Sequence, residues 1–88
     1  MNRVQLLTTP ECTHCGEVRG LLRRFQAERT DVEVEEIDAR SPLGLRLSIE
    51  HGVLVMPGII VNGRFLAMGS LNETLLCREL ARSVGEVR

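Results

Sequence analysis

Apolar and polar positions along this chain switch between two periods, and most stretches carry their own stop signal. Residues 3–8 centre on Val4, Leu6 and Leu7 and halt before Pro10, which predicts a buried strand. From residue 15 to about residue 29, Val18, Leu21, Leu22 and Phe25 recur at i, i+3, i+4 and i+7, one stripe of a helix. Gly20 interrupts that helix at a cost of about 1 kcal/mol relative to alanine, which implies another element packed close to it. Val32 and Val34 then alternate with acids ahead of Ile37, a second strand.

Ser41-Pro42 starts the next helix, with a serine cap and proline at the first helical position, and His51-Gly52 stops it. Between them Leu43, Leu45, Leu47 and Ile49 make a short helix that is apolar over much of its circumference. Residues 58–61 and 64–68 flank Asn62-Gly63, the pair that supplies both positive φ angles of a type I′ hairpin turn. Ser70 is placed to cap the last helix, with Glu73 completing a capping box. Leu76, Leu80 and Val84 line its inner face, with Cys77 and Ala81 beside them. The order is β-α-β-α-β-β-α. It predicts an α/β fold in which a four-stranded mixed sheet is flanked by three helices. The first crossover brings its two strands together in parallel, and residues 1–88 form a single domain.

Composition removes several classes of function. With 43% hydrophobic and 26% charged residues the chain is globular rather than disordered. Its net charge of −1 supplies no field for a polyanion, and its two aromatics, Phe25 and Phe65, offer no stacking platform, so no nucleic acid partner is expected. All eleven basic residues are arginine, which excludes Schiff-base chemistry and a Walker-type loop. No apolar run approaches the ~20 residues of a membrane span, and the N-terminal run is too short for a signal peptide. The expected setting is cytoplasmic, with no membrane association. Three cysteines, two of them three positions apart, do not make the disulfide framework of a secreted miniprotein.

The chemistry lies in Cys12-Thr13-His14-Cys15, at the junction of the first strand and first helix. Two thiols at this spacing can close a small disulfide without moving the rest of the fold. Cys12, at or just before the helix start, meets unsatisfied N–H groups and the positive end of the dipole, both of which favour a thiolate. Cys15, inside the first turn, is more shielded and placed to attack a mixed disulfide. Cys12 is therefore the expected nucleophile and Cys15 the resolving thiol. His14, when protonated, adds positive charge near the Cys12 sulfur, whereas Glu11 adds negative charge beside it. A closed zinc site needs four ligands, and beyond the pair only Cys77, His14 and His51 remain. Cys77, among Leu80, Ala81 and Val84, reads as a small buried hydrophobe.

The element order, the C-x-x-C after strand one and Met56-Pro57 ahead of the hairpin resemble the thioredoxin superfamily. Thr8-Thr9-Pro10-Glu11-Cys12-Thr13-His14-Cys15 is similar to the strand-to-motif segment of glutaredoxins and small glutaredoxin-like thioredoxins. Residues 51–63 resemble the segment bearing that superfamily's cis-proline, third strand and turn, and Met68-Gly69-Ser70 resembles the glycine closing its fourth strand. The resemblance implies a cis Pro57 facing the disulfide, an exposed Met56 backbone that pairs with an extended substrate strand, and Thr13, Met56 and Pro57 as substrate-facing positions. It also implies a protein disulfide as substrate and an external reductase or thiol as electron source. No cofactor is expected, because the electrons reside in the cysteines. The chain departs from W-C-G-P-C in lacking the tryptophan and Gly-Pro, and from glutaredoxins in lacking the aromatic of C-P-Y-C. Val55-Met56-Pro57 stands where glutaredoxins carry Thr-Val-Pro, and Ser70-Leu71 where they carry an acid, which argues against glutathione. The expected activity is thiol–disulfide exchange. Two alternatives stay open: a redox-responsive binding module without turnover, and a metal carrier using the C-x-x-C pair.

Overall fold

A computed structural model describes residues 2–86, with side chains described for residues 2–81. Its elements follow the expected order: β1 (Asn2–Thr8), α1 (Cys15–Glu28), β2 (Val32–Asp38), α2 (Pro42–His51), β3 (Gly58–Val61), β4 (Arg64–Met68) and α3 (Glu73–Glu86). The sheet order is β2-β1-β3-β4. Strands β1 and β2 pair in parallel from Asn2↔Val32 to Thr8↔Asp38, and β3 runs antiparallel to both β1 and β4.

Strand β1 is central because it is apolar on both faces. On one face Val4 and Leu6 meet Val18, Leu22 and Phe25 of α1 and Leu76 and Leu80 of α3. On the other, Leu7 joins Ile37, Ile60, Val53 and Leu47 of α2. Each fully buried leucine contributes about 1.5–3 kcal/mol relative to an exposed one. These two clusters therefore pin the sheet between its helices. The cover is uneven: on α2 only Gly44 and Leu47 are buried, while Leu45 is exposed and Ile49 is 81% exposed. The apolar circumference of that helix is half unpartnered because one short helix meets one face of the sheet along a single line.

Local signals fix the ends. Ser41 Oγ accepts the Gly44 N–H at 3.0 Å and donates to the Asp38 carbonyl at 2.7 Å, locking the start of α2 to the end of β2. Asn62 and Gly63 both hold positive φ, 51° and 80°, as the hairpin turn requires. The Asn62 side chain then stitches the turn to β1, accepting from the Arg3 N–H at 2.9 Å and donating to Asn2 Oδ1 at 3.1 Å.

Two expectations need correction. Helix α3 begins at Glu73, so its cap is Asn72, whose Oδ1 accepts the Leu75 N–H at 2.9 Å; Ser70 lies two residues too early to reach that turn. No element packs on Gly20 either: a Cβ there would meet nothing nearer than the tip of Arg24 at 3.9 Å. Close approach to another backbone instead sets Gly44, where a Cβ would collide with the Asp38 carbonyl oxygen and stand 2.7 Å from Ala39 Cα. The side chain of Val84 lies outside the described residues.

These environments give two opposite outcomes for the same substitution. Gly44→Ala is expected to destabilise the fold by about 1–3 kcal/mol through backbone overlap. Gly20→Ala is expected to stabilise it by about 0.5–1 kcal/mol through helix propensity. Urea midpoints measure both; a Gly44→Ala midpoint at or above that of the parent chain contradicts the packing described.

Candidate functional site

Strand β1 ends at Thr8, whose carbonyl accepts the Ala39 N–H at 2.8 Å, and the chain crosses to α1 through residues 9–14. Within that crossing the Cys12 N–H donates to the Thr9 carbonyl at 3.2 Å, turning the chain back toward the helix. Cys12 and Cys15 are joined as a disulfide, with their Cα atoms 5.5 Å apart. Cys15 is the first residue of α1 and is buried at 3% exposure, whereas Cys12 is half-buried. His14 occupies the cap position, and its side chain makes no capping hydrogen bond. The first-turn amides of α1 are thus left without a side-chain acceptor at the point where the sulfurs sit.

The hairpin register brings the second segment to the same end of the sheet. Leu7 pairs with Gly58, so Pro57, one residue earlier, stands beside the exit of β1. The Met56–Pro57 peptide bond is cis, Pro57 is fully buried, and Met56 is half-buried. Gly58 has no room for a side chain, because a Cβ would lie 2.6 Å from Val53 Cγ1. Thr13, His14 and Glu11 are all exposed around the disulfide. His14 lines a cleft of about 220 Å³ with Glu17, Val18, Leu21, Arg24, Ser70 and Leu71, between α1 and the segment after β4.

On the β2 side a second cleft, of about 390 Å³, is lined by Thr8, Thr9, Pro10, Arg19, Glu36 and Asp38. The Arg19 guanidinium donates twice to the Glu36 carboxylate, at 2.7 and 2.8 Å, and the Thr8 hydroxyl donates to it at 3.2 Å. The hydrogen bond from Arg19 is the main reason the Glu36 carboxyl is held below the ordinary carboxylate range, against a partial burial that pulls the other way. This network lies one helical turn from Cys15, and nothing in the motif announces it. Its signal was the spacing of Cys15 and Arg19 at i, i+4, together with a β2 alternation that turns Glu36 to the face of Val32 and Val34. Arg40 hydrogen-bonds Asp38, which chiefly raises the guanidinium, and the charge of Glu11 adds to that rise. Glu11 is therefore set within electrostatic reach of a cation rather than standing alone beside Cys12.

Cys77 does not sit in the core as expected. It is an exposed free thiol, because Leu76 and Leu80 occupy the stripe of α3 that faces the sheet and the next position along the helix turns outward. Among the described residues no three His, Cys, Asp or Glu side chains converge as a metal site would require. No helix among those residues is long and apolar enough to cross a membrane.

Three comparisons place this arrangement among known proteins. The family described as Thioredoxin domain matches residues 2–81. A thioredoxin from Methanocaldococcus jannaschii is 26% identical over 81 residues, covering 91% of this chain and 93% of its own. A Staphylococcus aureus protein of unknown function has the same fold, with a TM-score of 0.67 at 16% identity over 94% of this chain and 91% of that one.

The charge network yields a prediction with a definite sign. Because the folded-state pKa of Glu36 is depressed, its contribution to stability is present above the ordinary carboxylate range, about 4, and is lost as pH falls through the folded value. Asp31 and Asp38, lowered by Arg29 and Arg40, act in the same direction. In Arg19→Gln the Glu36 carboxyl resonance should titrate at higher pH than in the parent chain. An unshifted titration midpoint contradicts the pairing.

Proposed function

The chain belongs to the thioredoxin domain family, and from that premise we propose that it is a thiol–disulfide oxidoreductase acting on protein disulfides. In its reduced state the Cys12 thiolate attacks one sulfur of a substrate disulfide. A Cys12–substrate bond forms, the substrate S–S bond breaks, and the departing substrate sulfur takes up a proton. Cys15, deprotonated in turn, attacks the Cys12 sulfur, releases the second substrate thiol and leaves the Cys12–Cys15 disulfide. Two electrons have moved to the substrate, and an external reductase or low-molecular-weight thiol restores the dithiol. No cofactor takes part in these steps.

The observation that carries this reading is the asymmetry of the pair. Cys12 is open to an incoming disulfide at the uncapped start of α1, while Cys15 is 3% exposed and accessible mainly to its partner. His14 supplies positive charge when protonated, opposed by the charge of Glu11. Thr13, Met56 and Pro57 border the docking surface, and the exposed Leu54 and Val55 give it an apolar, uncharged rim. Such a surface suits an extended stretch of a protein partner better than a compact anionic thiol, in keeping with the absence of glutaredoxin-type residues for glutathione. A reducing, cytoplasmic setting fits a dithiol that must be regenerated.

The test is turnover of a protein disulfide by the chain and its two cysteine variants. Cys12→Ser should fall to the uncatalysed background. Cys15→Ser should stall as a covalent Cys12–substrate adduct visible by mass. Undiminished turnover in Cys12→Ser rules out the mechanism, and a readily reversible disulfide with no exchange at all would favour a binding switch.

A further inference from the structure

The segment ahead of Pro57 is fastened to the end of β4 by a sulfur atom. Val53 anchors its start in the core, but Leu54 is 85% and Val55 53% exposed. Met56 packs on the same core cluster, and between these two anchors Leu54 and Val55 meet Met68 and Gly69. The Gly69 N–H donates to the Pro57 carbonyl at 2.8 Å, and a Cβ at Gly69 would stand 3.6 Å from Val55 Cγ1. The Leu54 N–H donates to Met68 Sδ at 3.5 Å. A thioether is a weak acceptor. Met68 is also 40% exposed, on the edge strand of the sheet. An accessible thioether that both clasps a backbone amide and forms part of an apolar surface is open to a chemical change that would alter both roles.

We propose that Met68 is an oxidation site, with hydrogen peroxide as the oxidant, and that its oxidation state sets how residues 54–56 are held and presented. The thioether sulfur attacks one peroxide oxygen; an S–O bond forms and the O–O bond breaks. The departing hydroxide takes the proton from the sulfur-bound oxygen and leaves as water. Sulfur loses two electrons, peroxide gains them, and the product is methionine sulfoxide. Sδ stands only 3.5 Å from the Leu54 nitrogen, which leaves no room for an oxygen between them, and an oxygen on the other lone pair draws charge from the sulfur, so the light clasp on the Leu54 amide is released. The same step puts a polar group beside Leu54 and Val55, where the surface had been apolar. The consequence for docking rests on the oxidoreductase reading above: apolar partner segments bind that rim less well, while attack by Cys12 on a small disulfide is unaffected.

The test treats the intact chain, with the Cys12–Cys15 disulfide closed, with excess hydrogen peroxide. Peptide masses report which methionines oxidise, and NMR reports amide exchange at Leu54. Met68 is expected to oxidise several-fold faster than the half-buried Met56, and Leu54 exchange to speed up in the oxidised chain, as its clasp is released. Met68→Leu keeps the volume without the acceptor and should speed Leu54 exchange by about threefold, the loss of one weak hydrogen bond. Equal oxidation of Met68 and Met56, or Leu54 exchange that ignores Met68→Leu, overturns the proposal. Neither readout needs turnover, so neither depends on the oxidoreductase reading. After its disulfide is reduced, the Met68-oxidised chain should show a raised KM for a protein disulfide and an unchanged rate with a small aromatic disulfide. An unchanged KM removes the link to docking, whereas no exchange by any form of the chain would sink the oxidoreductase reading and leave the Met68 chemistry standing.

Discussion

Helix α1 opens at Cys15 with no side chain bonded across its first turn, because the residue at its cap, His14, makes no such bond. In α2 the corresponding amide is taken by Ser41, and in α3 by Asn72. The contrast is physical: serine and asparagine are short acceptors that satisfy a helix start, whereas here the amides and the positive end of the dipole are left for a neighbouring anion. We propose that the Cys12 thiolate, formed when the Cys12–Cys15 disulfide is reduced, is that anion. The rest of the molecule holds that junction still, with β1 buried on both faces beneath it and Cys15 packed against the core.

Two loops distant in sequence meet at the junction through strand register alone. Pairing of Leu7 with Gly58 puts the cis-proline segment beside the exit of β1, and pairing of Thr8 with Asp38 puts the β2 end on its other side. Gly44 lets α2 approach β2 closely enough for Ser41 to bond the Asp38 carbonyl. Charges then follow the β2 strand. At the end of β2 nearest the pair, Glu36 and Asp38 are each matched by an arginine, whereas Leu54 and Val55 ahead of Pro57 are exposed apolar side chains.

Most of this was legible from residue order because each element carried a local reason. A stripe of Val18, Leu22 and Phe25, a Ser-Pro start, an Asn-Gly turn and a C-x-x-C at a strand–helix junction are all read within a few residues. What escaped were effects decided across the fold. Ser70 and Asn72 are both good cap residues, and only the path of the chain after β4 decides between them. Gly20 and Gly44 look alike in sequence, yet one meets only the tip of a flexible arginine and the other the backbone at the end of β2. Cys77 depended on a rotation of one position around α3, and the Arg19–Glu36 pair on which strand lies beneath which helix turn.

Everything proposed for the pair requires the start of α1 to stabilise negative charge on Cys12. The most direct measurement is the rate of iodoacetamide alkylation of the reduced chain across a pH series, with Cys12 resolved from Cys15 and Cys77 by peptide mass. Cys12 is expected to reach half-maximal reactivity at a pH below that of free cysteine. A Cys12 profile that coincides with that of free cysteine overturns the assignment.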